Sequence, residues 1–252
     1  MIQRIDLAAA QLDSILGRAS PLLKLGVAIG WFVGLFLTTE IGPPLFVAGC
    51  VLLLGWLVGR VPAMTLARGL APLWLAALTI GLFNGLFHPA NTEPLAVEVA
   101  RIGPFRLTEP ALVAAAALAA RVVAIVAVGV VFAQTTDPTH LVDALVQQGR
   151  VPERFAYGAL AAYQAIPRFA EDLTTLRQAR RIRGLPGSWH PRLLVGLLVL
   201  AIRHGDRVAL AMDARGFGSG PRTRYRRVRW GWPDVLVVVG AVAVLVGVLA
   251  LS

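Results

Sequence analysis

Five apolar stretches separated by polar segments dominate the chain of 252 residues. None shows the two-residue alternation of a half-buried strand, and each is long enough, or nearly so, for a helix across a hydrocarbon core about 30 Å thick. The pattern predicts an all-α fold, a polytopic membrane protein with about five transmembrane helices. The predicted spans are residues 22–38, 43–59, 70–87, 110–133 and 233–252.

A long polar region, residues 134–231, separates the fourth span from the fifth. It contains 16 arginines and seven acidic residues, and so carries +9 of the net charge of +10. Membrane proteins retain arginine-rich loops in the cytoplasm, and the charges of the shorter loops agree with that orientation. We therefore predict an N-terminal membrane domain, residues 1–133, a cytoplasmic helical region, residues 134–231, and a C-terminal transmembrane helix, residues 232–252. The N-terminus is predicted to be cytoplasmic as well.

Proline and glycine divide this polar region into helices. Proline favours the first turn of a helix, and glycine commonly follows the last turn. The apolar segment 193–202 is too short for an ordinary span and is predicted to be a buried helix that lies against the membrane domain or at the interface. The residues that mark helix starts and ends are Pro138, Gly149, Pro152, Gly184, Pro191 and Gly216.

Two of these predicted helix ends carry an arginine directly before the glycine, at Arg183 and Arg215. At 100° per residue, each arginine extends an apolar stripe of its helix. One interpretation is an ordinary helix end, where a cation interacts favourably with the helix dipole. The other is that both ends insert into a groove of a partner, where the guanidinium meets acidic side chains bidentately. The duplication favours the second interpretation.

The sequence shows no set of residues typical of a catalytic or metal site. Lys24 is the single lysine and lies outside any glycine-rich loop, so the chain lacks the phosphate-binding motif of nucleotide hydrolases. Its four histidines lack ligand spacing. We therefore expect no metal site, no cofactor and no catalytic residue in this chain. The positive charge is distributed by membrane topology, which argues against nucleic acid as the partner.

Arg121 lies in the fourth predicted span, where a charge is costly and indicates either a functional residue or a paired structural one. In the first span, Gly26, Gly30 and Gly34 form a row of small residues that favours close helix packing.

The segments "TTDPTHLVDALVQQGRVPERFAYGALAAYQAIPRFAEDLTTLRQARRIRG" and "AIRHGDRVALAMDARGFGSGPRTRY" resemble the transmembrane T component of energy-coupling factor transporters. In that family, two cytoplasmic coupling helices carry arginine-centred motifs that dock into two ATP-binding-cassette subunits. Ala214-Arg215-Gly216 matches the second motif fully. Ile182-Arg183-Gly184 matches the first at the arginine and the glycine, whereas Ile182 replaces the common alanine.

The resemblance implies a non-catalytic coupling subunit in the cell membrane of a prokaryote. Its partners would be two ATPases, which bind the ATP and magnesium, and a membrane-embedded S component that binds the solute. The family imports vitamins, their precursors, or nickel and cobalt ions. Two alternatives stay open: a conventional ABC permease that forms the solute path itself, and a membrane-embedded enzyme. A final arginine cluster is expected to meet anionic lipids: Arg222, Arg224, Arg226, Arg227 and Arg229.

Overall fold

The computed structural model describes residues 13–93, 96–102, 105–185, 189–220, 226–228 and 230–251. The chain forms two compact units, which we call the membrane unit (Met1–Asp137 with Arg229–Ser252) and the arginine-rich unit (Pro138–Val228). Three arginines of the expected lipid-binding cluster, Arg222, Arg224 and Arg229, lie outside the described residues, as do residues 1–12. The cytoplasmic location of the arginine-rich unit remains a prediction.

The membrane unit consists mainly of apolar helices, which confirms the predicted all-α membrane fold. Three stretches are long and apolar enough to cross a membrane: Ala63–Thr92, Glu109–Thr135 and Trp232–Ala250. Two further apolar helices have 17 and 16 residues and so extend about 24–26 Å at 1.5 Å per residue. The helices of this unit are α1 (Ile15–Arg18), α2 (Pro21–Leu37), α3 (Gly42–Leu57), α4 (Ala63–Leu86), α5 (Glu109–Thr135) and α9 (Trp232–Leu251).

Helix α5 lies at the centre of this unit, because its many alanines allow α2, α3 and α4 to approach it. Glycines of the neighbouring helices make the closest contacts. A Cβ at Gly81 of α4 would lie 3.1 Å from the Cβ of Ala119, and a Cβ at Gly55 of α3 would lie 2.8 Å from Val131 Cγ2. Small residues at such positions permit close van der Waals packing between membrane helices.

The predicted packing row of α2 is not used within the described part of this chain. Gly26, Gly30 and Gly34 are exposed in this chain, and no described atom would lie within 4 Å of a Cβ at any of them. The close contacts instead lie where α5 offers alanine and valine to glycines of α3 and α4. Glycine spacing alone did not show which face of α2 the rest of the unit covers.

The loop between α4 and α5 contains a β-hairpin that the sequence did not predict. Strands β1 (Glu98–Ile102) and β2 (Phe105–Thr108) pair antiparallel after a 3-10 turn at Pro89–Thr92. Buried Asn91 fixes the hairpin, since its Nδ2 donates to the Gly85 carbonyl at 2.7 Å and its Oδ1 accepts from Thr108 N and Oγ1, both at 3.0 Å. One side chain thus satisfies backbone groups at the end of α4 and at the start of α5.

The arginine-rich unit is formed by α6 (Pro138–Gln147), α7 (Glu153–Ile182) and α8 (Pro191–Ala214). Helices α7 and α8 are antiparallel, because Leu176 contacts Gly196 whereas Phe169 lies against His204, with ring centroids 5.9 Å apart. The predicted placement of segment 193–202, against the membrane domain or at the interface, stays a prediction; within its own unit the segment is only partly covered. Leu193 is buried, but most of the apolar side chains after it are exposed, because α7 covers only one side of α8.

Candidate functional site

Both predicted Arg-Gly motifs lie at helix C-termini. Ile182 is the last residue of α7 and Arg183 is its C-cap, while Ala214 and Arg215 hold the same positions in α8. The following glycines, Gly184 and Gly216, have φ values of +68° and +65°. These values lie in the left-handed region, which glycine adopts without the steric cost that a Cβ imposes.

The two helix ends have the same hydrogen-bond geometry. At the first, Gly184 N donates to Arg181 O at 3.0 Å and Leu185 N donates to Arg180 O at 3.3 Å. At the second, Gly216 N donates to Asp213 O at 2.9 Å and Phe217 N donates to Met212 O at 3.0 Å. This pair of bonds is the Schellman motif, which satisfies carbonyls that a helix end otherwise leaves without partners. The motif therefore fixes the direction in which each helix ends.

Arg183 and Arg215 are both exposed in this chain, and Ile182 is 86% exposed. The apolar stripes that lead to them are half-buried, because they pack α7 and α8 against each other. The stripes therefore stabilise the helix pair. Each helix end exposes its arginine and the residues on either side of the arginine to solvent. Docking by these residues stays a prediction.

The second helix end has a support that the sequence did not predict. The Phe217 ring, directly after Gly216, lies edge-on to the Tyr157 ring of α7, with centroids 6.2 Å apart. The Tyr157 hydroxyl donates to Asp143 Oδ1 of α6 at 2.8 Å. This chain of contacts links all three helices of the arginine-rich unit beside Arg215. About 60 residues separate Tyr157 from Phe217, so no local pattern indicates their contact.

Arg121 lies near the middle of α5, about 18 Å from its first residue at 1.5 Å per residue. Its guanidinium donates to the carbonyl of Thr38, the C-cap residue of α2. A cation is favourable there, because the carbonyls at a helix C-terminus carry partial negative charge. Arg121 thus stabilises the C-terminus of α2. A functional role of Arg121 remains a prediction.

The described residues contain no group of three or more His, Cys, Asp or Glu side chains that could hold a metal ion. What the candidate site offers is two cationic helix ends with fixed directions. Such ends can bind acidic side chains through bidentate hydrogen bonds.

Comparison with known proteins identifies the family. A family model described as CbiQ, cobalt transport protein, matches residues 13–225. The energy-coupling factor transporter transmembrane protein EcfT of Limosilactobacillus fermentum is 32% identical over 94% of this chain and 92% of its own length. EcfT of Bacillus subtilis is 28% identical over 73% of this chain and 74% of its own length.

A third relative differs in length. A putative ABC transporter ATP-binding protein of Bifidobacterium longum is 24% identical over 94% of this chain, but the match covers only 32% of that protein. The family model and the L. fermentum relative cover most of the chain. The chain therefore belongs to the CbiQ family and is a transmembrane component of an energy-coupling factor transporter.

Proposed function

We propose that this chain is a non-catalytic coupling subunit that connects two ATP-binding-cassette ATPases to a substrate-binding S component. The duplicated helix end carries the proposal: two exposed arginines, each before a left-handed glycine, in one unit with the same Schellman geometry. In this proposal, Arg183 and Arg215 each insert into one ATPase and pair with acidic groups there. The conformation of the two ends is set by the residues on either side of each arginine: Ile182, Gly184, Ala214 and Gly216.

The separation of the two ends supports two docking sites rather than one. Because α7 and α8 are antiparallel, the first end lies beside the start of α8 and the second lies at its finish. Helix α8 has 24 residues and is therefore about 36 Å long. That length exceeds the diameter of a small domain, so the arginines can reach two separate subunits.

ATP and magnesium would be bound by the ATPases and not by this chain, whose single lysine lies in an apolar helix. The Bifidobacterium longum relative supports an association with an ATPase. In that protein, named as ATP-binding, a segment similar to this chain makes up about a third of one longer polypeptide.

The exposed apolar face of α8 supports a further membrane partner. Leu194, Val195, Leu198 and Ile202 are all exposed in the isolated chain, and a contiguous apolar face of this kind marks an interaction site. We assign this face to the S component, which selects a vitamin, a vitamin precursor, or a nickel or cobalt ion.

The remaining arginines near the last helix, including Arg226 and Arg227, would bind anionic lipid headgroups, with a binding free energy of about 1 kcal/mol each.

In this proposal the chain lies in the prokaryotic cell membrane, with its N-terminus and the arginine-rich unit in the cytoplasm. Arginine-rich loops stay on the cytoplasmic side, and residues 134–231 carry +9 of the net charge of +10. Closing of the ATPases on ATP would move the two helix ends and reorient the S component.

The test is the double variant Arg183→Glu plus Arg215→Glu. Removing one partner of a buried ion pair costs about 3–5 kcal/mol, whereas an exposed pair is worth about 0–1 kcal/mol. We expect the variant to insert normally but to lose the ATPases on purification and to lose uptake of radiolabelled cobalt, nickel and vitamins. Arg177→Glu plus Arg203→Glu is the matched control, because both arginines are exposed on the same helices. If the double variant binds ATPases and transports as well as this control, the proposal is wrong.

A further inference from the structure

Lys24, the single lysine of the chain, is only 7% exposed and is held by two carbonyls of other helices. Its Nζ donates to Leu16 O in α1 at 3.0 Å and to Thr135 O, at the last residue of α5, at 2.7 Å. Carbonyls at helix C-termini lack intrahelical partners and carry partial negative charge, so an amine there stabilises both ends. Lys24 thus ties α2 to the end of α5.

Asp234 is 3% exposed and caps the starts of two helices. Its Oδ1 accepts from Ser20 N, directly before α2, at 2.5 Å, and its Oδ2 accepts from Gly231 N, directly before α9, at 2.8 Å. A carboxylate is the favoured acceptor for backbone donors at helix N-termini. Asp234 thus ties α2 to the start of α9.

These two ties lie where the polypeptide crosses between the units. The chain leaves the membrane unit after Asp137 and re-enters it at Arg229. Thr135 lies two residues before the first crossing, and Gly231 lies two residues after the second. Helix α2 takes part in both ties, through Lys24 in its first turn and through Ser20 before it. A single helix therefore holds both connections to the arginine-rich unit.

We propose that Lys24 and Asp234 are positioning residues that clamp both crossings of the chain to α2, so that motion of the arginine-rich unit is transmitted to the membrane helices. This inference rests on the proposed coupling function. Two buried hydrogen-bonded ties make the crossings stiff, whereas untied crossings would bend and absorb the motion. The clamp defined by Lys24, Asp234, Thr135, Gly231 and Ser20 is distinct from the helix ends that dock the ATPases.

The variants Lys24→Met and Asp234→Asn test the clamp. Methionine keeps the length of the lysine but has no donor, and asparagine retains only one oxygen acceptor. The same segment offers matched controls in Arg18 and Asp13, whose side chains are 65% and 76% exposed and form a pair at 3.8 Å. Arg18→Met and Asp13→Asn remove the same charges without touching the clamp.

Two measurements on the complete complex, in proteoliposomes, decide the matter. Spin labels at Ala133→Cys and Trp232→Cys, in a Cys50→Ala background, report the distance between the two crossings. The ratio of tracer uptake to ATP hydrolysis, with the cobalt, nickel or vitamin tracer that the unmutated complex accumulates, reports coupling. We expect the clamp variants to keep their ATPases and hydrolyse ATP within twofold of the controls. Their distance distribution should be at least twice as broad, and their uptake ratio should fall at least tenfold.

Any other pattern overturns the inference. A control-like distance width or a control-like uptake ratio in the clamp variants shows that the ties do not transmit motion. If both clamp variants fail to assemble while both controls assemble, the residues serve only to stabilise the fold. Failure of the docking proposal is distinct, because it concerns Arg183 and Arg215 and is judged by ATPase binding.

Discussion

Replacing Gly184 by alanine tests whether the geometry of a helix end, and not only its charge, determines docking. A Cβ at Gly184 would meet no described atom within 4 Å, so the substitution causes no clash with its neighbours. Its effect comes from the φ of +68°, which costs a residue with a Cβ about 1–2 kcal/mol. The ratio of molecules whose helix end holds Arg183 in the docking direction to those whose helix end does not then falls about 5–30-fold, and the apparent affinity for the ATPases falls by up to the same factor.

Gly216→Ala should behave in the same way, since its φ is +65°. An added Cβ there would lie 3.0 Å from Ser219 Oγ, which donates to Gly216 O at 2.7 Å, so the loss should exceed that at Gly184. Asparagine adopts the left-handed region more readily than alanine, so Gly184→Asn should retain more affinity than Gly184→Ala. Gly205→Ala is the control, because this glycine lies inside α8 with open space around it and alanine favours helix by up to about 1 kcal/mol.

The assay is a titration of the purified ATPases into each variant in lipid nanodiscs, with binding followed by fluorescence. We expect affinity to decrease in the order Gly205→Ala, Gly184→Asn, Gly184→Ala, with the unmutated chain equal to the first. Equal affinity for Gly184→Ala and Gly205→Ala would refute the reasoning. It would mean that the ATPases bind the arginine without regard to the direction of the helix end.

Two further predictions concern the arginine-rich unit. Tyr157→Phe removes the 2.8 Å hydrogen bond to buried Asp143 and should destabilise the unit by about 1.5–3 kcal/mol in thermal unfolding, whereas Tyr163→Phe, at an exposed position, should have little effect. In a background without the native cysteine, Ser219→Cys should resist an impermeant thiol reagent in intact cells while Thr92→Cys reacts. Labelling of Ser219→Cys from outside would reverse the proposed topology.

Hydrophobic pattern predicted the apolar helices well, because their lengths are set by the membrane. The first predicted span, 22–38, corresponds to Pro21–Leu37, and the fourth, 110–133, corresponds to Glu109–Thr135. The third was predicted to begin at residue 70, yet α4 begins at Ala63 and includes Arg68. A charged residue near a helix end can extend its head group to the interface, so charge marks the limit of the apolar layer rather than the end of the helix.

The two helix ends of the candidate site were predictable because their signals are local. An arginine followed by a glycine at the end of an apolar helix can be recognised from a few neighbouring residues. The left-handed conformation of Gly184 and Gly216 follows from the same local signal. The support of the second end by Tyr157 and Phe217 was not predictable, since it depends on how α7 and α8 pair. The clamp at Lys24 was missed for the same reason, as its partner Thr135 is 111 residues away.

The stiffness of the helix pair limits how motion can pass between the two docking ends. Helices α7 and α8 cannot shorten appreciably, so in the proposed mechanism ATPases that approach each other change the angle between these helices or rotate the pair. The contact of Leu176 with Gly196, where an added Cβ would lie 3.3 Å from Leu176 Cδ1, allows close approach near the first end. At the second end, Phe217 lies against Tyr157, which is itself bonded to α6. The second end is thus linked to α6, so in the proposed mechanism it moves together with α6 while the angle between α7 and α8 changes.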